Sequence, residues 1–144
     1  MKNTDVPIVV TQPFQVSRNR LWEAITQVSK MTQWFFENIK AFEPQVGFKT
    51  QFKVQVEDRI FTHLWKITEV VPQHKITYNW QYQEYPGDSF VTFEIIEHEE
   101  NLILRLTTNV VADFPDTVPE FTRESCIGGW QYFIQERLPA YLKQ

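Results

Sequence analysis

The chain has 144 residues, a net charge of −4 and one cysteine, and 15% of its residues are aromatic. This length suits one domain over residues 1–144, and with Cys126 alone no intramolecular disulfide can form, which favours a reducing, cytoplasmic location. The charges are mixed and show no basic stripe, so nucleic acid is not an expected partner, and the N-terminal residues fit neither a signal peptide nor a membrane span.

The first predicted elements are one short strand and two short helices. The strand covers Val6–Thr11. Ser17 fits the N-cap of a first helix, and Ser29 fits the cap of a second. The apolar residues that would face the core are Leu21, Trp22, Ile25 and Val28 in the first helix, and Trp34, Phe35 and Phe36 in the second.

The middle of the chain, up to Val110, alternates apolar and polar residues, which is typical of strands with one buried face. Turns are predicted at Asp58-Arg59, Pro72-Gln73, Pro86-Gly87 and Glu99-Glu100. The resulting registers set Phe52 opposite Trp65, Trp65 opposite Trp80, Trp80 opposite Phe93, and Phe93 opposite Leu106. Each register pairs apolar residues with apolar residues on one face of the sheet. On the other face, the last register sets Glu94 opposite Arg105. The pattern therefore predicts an antiparallel meander with one apolar face.

The C-terminal segment predicts a long helix that covers this apolar face. "TVPE", Thr117 to Glu120, matches a capping box in which Pro119 is tolerated in the first turn. Apolar residues then recur at spacings of three and four, as on one side of a helix. They are Ile127, Trp130, Ile134, Leu138 and Tyr141.

With these elements in place, the chain resembles a known family. "EVVPQHKITYNW", Glu69 to Trp80, is similar to that family's Glu-Val-x-Pro…Thr-Trp strand pair, with Asn79 where threonine is usual. "RLWEAIT" and the Trp34-Phe35 pair resemble its N-terminal helices, and "GGWQYFIQERLPAYL" resembles its C-terminal helix. The family is the domain homologous to the C-terminal part of the activator of the heat-shock-protein-90 ATPase, within the START-like superfamily, also called SRPBCC or Bet v-like.

The resemblance implies an α+β helix-grip fold: a seven-stranded antiparallel sheet wrapped around a long C-terminal helix, with the first and last strands paired. It also implies a cavity between sheet and helix, where relatives bind apolar small molecules. Two departures stand out. Pro139 predicts a kink or an early helix end near Gln135. The separate N-terminal domain of the eukaryotic co-chaperone does not match this sequence, which weakens the expectation of a chaperone role.

The candidate ligand-binding residues are those expected to line this cavity. They are Trp34, Phe35, Phe52, Val54, His63, Trp65, Tyr78, Trp80, Tyr82, Phe93, Thr108, Gly129, Trp130 and Phe133. The rings among them either fill a core or surround a pocket. Binding pockets are mostly apolar with a few polar groups, and those groups would be His63, Thr108, Tyr78 and Tyr82.

Three features of the sequence have two interpretations each: a histidine, the cysteine and a pair of glycines. His63 is either an acid–base group in the cavity or a buried histidine bonded to Tyr82 or a backbone carbonyl. Cys126 is either a nucleophile or a small apolar residue. Two glycines, 128 and 129, cost about 1 kcal/mol each inside a helix. They either let a ligand or the sheet approach closely, or make room for a tryptophan.

No metal or cofactor is expected, because the acidic "EHEEN" stretch lies at a hairpin tip where neighbouring side chains diverge. Three functions remain open. The first is non-catalytic binding of a small apolar or amphipathic molecule. The second is a co-chaperone-like interaction module, which requires an exposed apolar patch around Leu64, Ile96 and Ile103. The third is an enzyme using His63, which requires a perturbed pKa and a roomy pocket.

Overall fold

The computed structural model describes residues 1–143, which form an antiparallel sheet, two short helices and a long C-terminal helix. The strands are β1 (Ile8–Phe14), β2 (Lys49–Val56), β3 (Arg59–Val71), β4 (Lys75–Tyr82), β5 (Asp88–His98) and β6 (Asn101–Ala112). The two short helices are α1 (Arg18–Thr26) and α2 (Val28–Trp34). The C-terminal helix comprises α3 (Arg123–Gln131), a π-helical part Tyr132–Arg137 and α4 (Leu138–Leu142), preceded by a 3₁₀ turn at Pro119–Phe121.

The sheet has six strands within the described residues, in the order β1-β6-β5-β4-β3-β2, so the expected seventh strand is wrong. The α+β class and the pairing of the first with the last strand are confirmed. The long connection over residues 35–48 forms no strand. Pro44 in it cannot donate a ladder hydrogen bond, and Gly47 has a φ of 93°, which a strand does not use.

Two of the four predicted registers are confirmed, and two are shifted. Trp65 lies opposite Trp80, and Glu94 lies opposite Arg105 at 3.2 Å between Oε1 and Nη2. Phe52 lies opposite His63 rather than Trp65, because the turn is centred on Glu57-Asp58, with Glu57 at a φ of 57°. The shift is even, so every side chain keeps its predicted face.

The β4–β5 register is shifted in the same sense, since Trp80 lies opposite Ser89 and not Phe93. The carboxylate of Glu84 accepts hydrogen bonds from the backbone N and the hydroxyl of Thr62, so the chain past β4 stays attached to β3. This contact moves the centre of the loop toward β4. The predicted transverse rows of rings are therefore wrong, although their common face is right.

The helix boundaries correct several predictions. Ser17 caps α1 as predicted, but Gln27 rather than Ser29 precedes α2. Thr122, not Thr117, caps the C-terminal helix, and its oxygen accepts from the N–H of Ser125 at 3.2 Å. Pro139 does not end the helix near Gln135. It follows the π-helical part. A residue with a backbone N–H at position 139 would bond the carbonyl of Gln135, and the wider π-helical turns accommodate that carbonyl without this bond.

The core lies between the sheet and the helices. The inner rings of β2 to β5 are buried as predicted, and Trp34 of α2 donates its indole N–H to the carbonyl of Ala24 at 2.7 Å. A second apolar cluster closes one end of the sheet. It contains Phe61, Phe114, Val118 and Phe121. None of the helices within residues 1–143 has the length and hydropathy that crossing a lipid bilayer requires.

Candidate functional site

A cavity of about 250 Å³ lies between the main core and the apolar cluster at the sheet end. Strands β2 to β6 supply one wall, and the C-terminal helix supplies the other. The lining is mostly apolar. It comprises Met1, Phe36, Val54, Val56, Phe61, His63, Trp80, Tyr82, Ser89, Val91, Thr108, Phe114, Glu120, Phe121, Cys126, Gly129, Trp130 and Phe133.

The predicted candidate residues divide into two groups in the structure. Those that line the cavity are Val54, His63, Trp80, Tyr82, Thr108, Gly129, Trp130 and Phe133. Those that pack in the core away from it are Trp34, Phe35, Phe52, Trp65, Tyr78 and Phe93. The core rings contact one another closely: Phe35 stacks on Trp34 at a centroid distance of 4.8 Å, and Trp65 lies 5.0 Å from Tyr78. Some rings thus fill the core while others surround a space.

Several lining residues were not among the predicted ones. Phe61 and Val56 share the inward face of their strands with His63 and Val54, so the period-two pattern could have indicated them. Phe114 and Phe121 lie outside the strands, in the connection before the C-terminal helix, where no periodic signal exists.

His63 is a polar residue of the cavity lining and is 5% exposed. Its Nδ1 lies 3.1 Å from the carbonyl oxygen of Phe61. A carbonyl only accepts, so Nδ1 carries the proton and donates, which leaves Nε2 as a bare acceptor in the neutral ring. The ring stacks on Phe52 at 4.7 Å and meets the edge of Tyr82 at 4.9 Å. Burial lowers the pKa of His63 to about 4 and outweighs the hydrogen bond to the Phe61 carbonyl and the charge of Glu84, which both raise it.

A second buried polar atom in the cavity wall is the hydroxyl of Thr108. This residue is 5% exposed, and its Oγ1 has no hydrogen-bond partner among residues 1–143. By contrast, the Ser89 hydroxyl in the same wall donates to the carbonyl of Trp80 at 2.9 Å. An unpaired buried hydroxyl costs free energy, so Thr108 is a polar group that a bound molecule could satisfy.

The remaining polar groups of the lining are neutral or neutralised. Burial raises the pKa of the Cys126 thiol to about 11 and also raises the pKa of the Tyr82 phenol. The carboxylate of Glu120 accepts two hydrogen bonds from Arg59, at 2.9 and 2.6 Å. These bonds lower the pKa of Glu120, so it is ionised and paired. No side chain of the described lining therefore presents an unpaired charge at neutral pH, and the charge that remains is the N-terminal amine of Met1, which donates to the carbonyl of Phe121 at 2.9 Å.

Close packing of the sheet or of a tryptophan against the two helical glycines is not supported, and the approach of a ligand to them stays a prediction. A Cβ added to Gly128 or Gly129 would meet nothing within 4 Å apart from neighbouring helix backbone, so neither the sheet nor a tryptophan packs against them. Gly129 lines the cavity, whereas Gly128 does not. Both are exposed, so open space faces this part of the helix.

The residues of the predicted surface patch lie on separate parts of the sheet. Ile96 and Ile103 lie opposite each other, but Leu64 pairs with Gln51 and Gln81 on strands at the other side of the sheet. All three are half-buried, so the predicted contiguous patch is not present. Over residues 1–143, no group of three or more His, Cys, Asp or Glu side chains is placed to hold a metal ion.

Comparison with known structures places this architecture among others already solved. A protein from Chromobacterium violaceum superposes with a TM-score of 0.78 at 18% identity, covering 96% of this chain and 97% of its own. An HSP90 activator from Plasmodium falciparum gives 0.74 at 22% identity, covering 96% and 97%. The Aha1 dimer from Colwellia psychrerythraea gives 0.67 at 18% identity, covering 91% and 92%. These identities establish a shared fold.

A comparison with curated proteins finds no match. A family model does match: residues 15–143 fit the family described as "Activator of Hsp90 ATPase homolog 1-like protein". The match covers both short helices, β2 to β6 and the C-terminal helix. The chain belongs to the Activator of Hsp90 ATPase homolog 1-like protein family.

Proposed function

We propose that this protein binds a small apolar or amphipathic molecule, without catalysis, in the cavity between its sheet and its C-terminal helix. The observation that carries the proposal is a partly open cavity of about 250 Å³ whose wall consists mostly of aromatic and aliphatic side chains. An apolar cavity of about 150 Å³ holds benzene, so this one has room for roughly ten carbon-sized atoms. Naphthalene is therefore a suitable first probe.

Binding of naphthalene to the purified chain can be measured by titration calorimetry and by the fluorescence of Trp80 and Trp130, which line the cavity. Val54→Trp would put a large ring into the space and is expected to abolish binding. Gln55→Trp is the matched control, because the neighbouring residue of β2 is exposed on the other face of the sheet. Equal naphthalene affinity in both variants would show that the probe binds elsewhere.

The single cysteine offers an independent check. Cys126 lines the cavity and is partly buried, so a ligand there should shield its thiol from N-ethylmaleimide. Naphthalene at saturating concentration should slow the alkylation of Cys126 in the wild type and leave it unchanged in Val54→Trp. Unslowed alkylation of the wild type would contradict the proposed location.

A co-chaperone-like role in the cytoplasm is the second candidate, and the family membership favours it. One structure with the same fold is described as an HSP90 activator. The test is the ATPase rate of purified Hsp90 with and without this chain. A saturable increase would support an interaction function, and no change at high molar excess would leave ligand binding as the better account.

The enzyme alternative gains less support. His63 has a lowered pKa and faces the cavity, as that alternative requires. However, its Nδ1 is held by a backbone carbonyl and not by a carboxylate, and a pKa near 4 makes it a weak base. Its chemistry suits accepting a hydrogen bond.

A further inference from the structure

We propose that the preferred ligand is a neutral molecule of about ten heavy atoms carrying one hydroxyl or similar N–H or O–H donor, which donates to Nε2 of His63 and reaches the hydroxyl of Thr108. This inference rests on the proposed cavity function and adds the chemical class of its ligand.

The first step is the direction of the hydrogen bond at His63. The contact of Nδ1 with the carbonyl of Phe61 fixes the tautomer, so Nε2 can only accept. The rings around the imidazole within 5.5 Å are those of Phe36, Phe52, Trp80 and Tyr82. The hydrogen bond that the ring forms within the described part of the chain is the one at Nδ1, so Nε2 receives no donor there. A ligand with an N–H or O–H group can donate a hydrogen bond to Nε2. A ligand that has only an acceptor would place its lone pairs against those of Nε2, and the two groups would repel each other.

The second step is the unpaired hydroxyl of Thr108. It lies in the wall formed by β6, whereas His63 lies in β3, so the two polar atoms are on different strands of the same cavity. A threonine hydroxyl donates and accepts, so it can bond the oxygen of a ligand hydroxyl or a second polar atom. One buried hydroxyl without a partner and one imidazole acceptor in a mostly apolar space indicate a ligand with few polar atoms.

The third step concerns charge. Glu120 is the carboxylate of the lining, and Arg59 pairs with it through two hydrogen bonds. No cation among residues 1–143 belongs to the lining itself apart from the N-terminal amine of Met1, which donates to the carbonyl of Phe121 at 2.9 Å. A ligand carboxylate held at His63 and Thr108, and not at this amine, would be buried without a partner, which is strongly disfavoured, so a neutral donor suits these two groups.

The experiment compares four probes built on the same two-ring system: naphthalene, 1-naphthol, 1-methoxynaphthalene and 1-naphthoate. At pH 7 the wild type should bind 1-naphthol roughly tenfold more tightly than 1-methoxynaphthalene, the factor for one buried hydrogen bond of about 1.4 kcal/mol. 1-Naphthoate should bind at least tenfold more weakly than 1-naphthol. Thr108→Val should narrow the preference for 1-naphthol over naphthalene and keep the affinity for naphthalene.

His63→Phe preserves a flat ring beside Phe52 and removes the acceptor, so it should abolish the preference for 1-naphthol over 1-methoxynaphthalene. Nitrogen-15 NMR of the wild type provides a readout that does not depend on a variant folding. The Nε2 resonance of His63 should shift with 1-naphthol and not with 1-methoxynaphthalene, and the exposed His74 and His98 serve as internal references.

The outcomes separate the two proposals. If naphthalene binds but 1-naphthol and 1-methoxynaphthalene bind equally, with no shift at Nε2, the donor proposal is wrong and the cavity function stands. If none of the four probes binds, both proposals are wrong. Tighter binding of 1-naphthoate than of 1-naphthol would overturn the argument from charge.

Discussion

Replacing the two adjacent helical glycines by alanine should stabilise this protein. Gly128 and Gly129 lie within α3, where glycine costs about 1 kcal/mol relative to alanine because its backbone loses more freedom on folding. Nothing in the tertiary structure offsets this cost by close packing, since an added Cβ at either position meets no atom within 4 Å beyond the neighbouring helix backbone.

The magnitude follows from helix propensity alone. Each single variant should raise the free energy of unfolding by about 1 kcal/mol, and the double variant by about 2 kcal/mol. For a chain of 144 residues, 1 kcal/mol corresponds to roughly 2–4 °C in Tm, so the double variant should gain roughly 4–8 °C. Urea unfolding with an unchanged slope, together with calorimetric Tm, measures both quantities.

The two positions should differ in ligand binding although they agree in stability. Gly129 lines the cavity and Gly128 does not, so Gly129→Leu should weaken naphthalene binding while Gly128→Leu should leave it unchanged. A loss of stability in either alanine variant would refute the reasoning, because it would show that a neighbouring group packs against the glycine.

The remaining predictions concern pH, a turn and the cavity wall. Because burial holds the pKa of His63 near 4, below its ordinary 6.5, the unfolded chain binds an extra proton between these values, so stability should fall by up to about 3 kcal/mol as pH drops from 6.5 to 4. Urea unfolding between pH 6.5 and about 5 should show this fall in stability in the control His98→Asn and not in His63→Phe. Below about pH 5, paired carboxylates such as Glu120 add a further fall in both variants. Gly87→Ala should destabilise by more than Gly47→Ala: both have positive φ, but only at Gly87 would a Cβ lie 2.3 Å from a buried ring. Equal losses in urea unfolding would contradict the steric argument. Thr108→Val should leave stability unchanged or raise it by about 1 kcal/mol, because it removes a buried hydroxyl without a partner. A loss above about 1 kcal/mol would show that the hydroxyl is bonded in the free protein.

The same valine substitution at a bonded threonine provides the control for the last prediction. The hydroxyl of Thr26 is buried and donates to the carbonyl of Trp22 at 2.6 Å. Thr26→Val should therefore lower stability by about 1 kcal/mol, opposite in sign to the result at Thr108.

The sequence by itself determined which face of each strand is buried. Alternation has a period of two, and the turns moved by even steps, so Phe52, Trp65 and Trp80 all face inward although Phe52 pairs with His63. The apolar stripe of the C-terminal segment likewise predicted the helix that covers this face. These features are patterns within one segment of the chain, so they can be recognised without information about the segments that pack against it.

Only the tertiary structure decided the register, the strand number and the cavity. The contact of Glu84 with Thr62 that shifts the β4–β5 loop joins residues that the turn chemistry does not connect. Whether a ring fills the core or lines a space depends on how far the helix stands from the sheet at that point. Phe35 closes that gap above Trp65, while Trp80 and His63 face the gap that is left at the sheet end. The distance between helix and sheet depends on all the side chains packed between them, so it cannot be predicted from any one segment of the sequence.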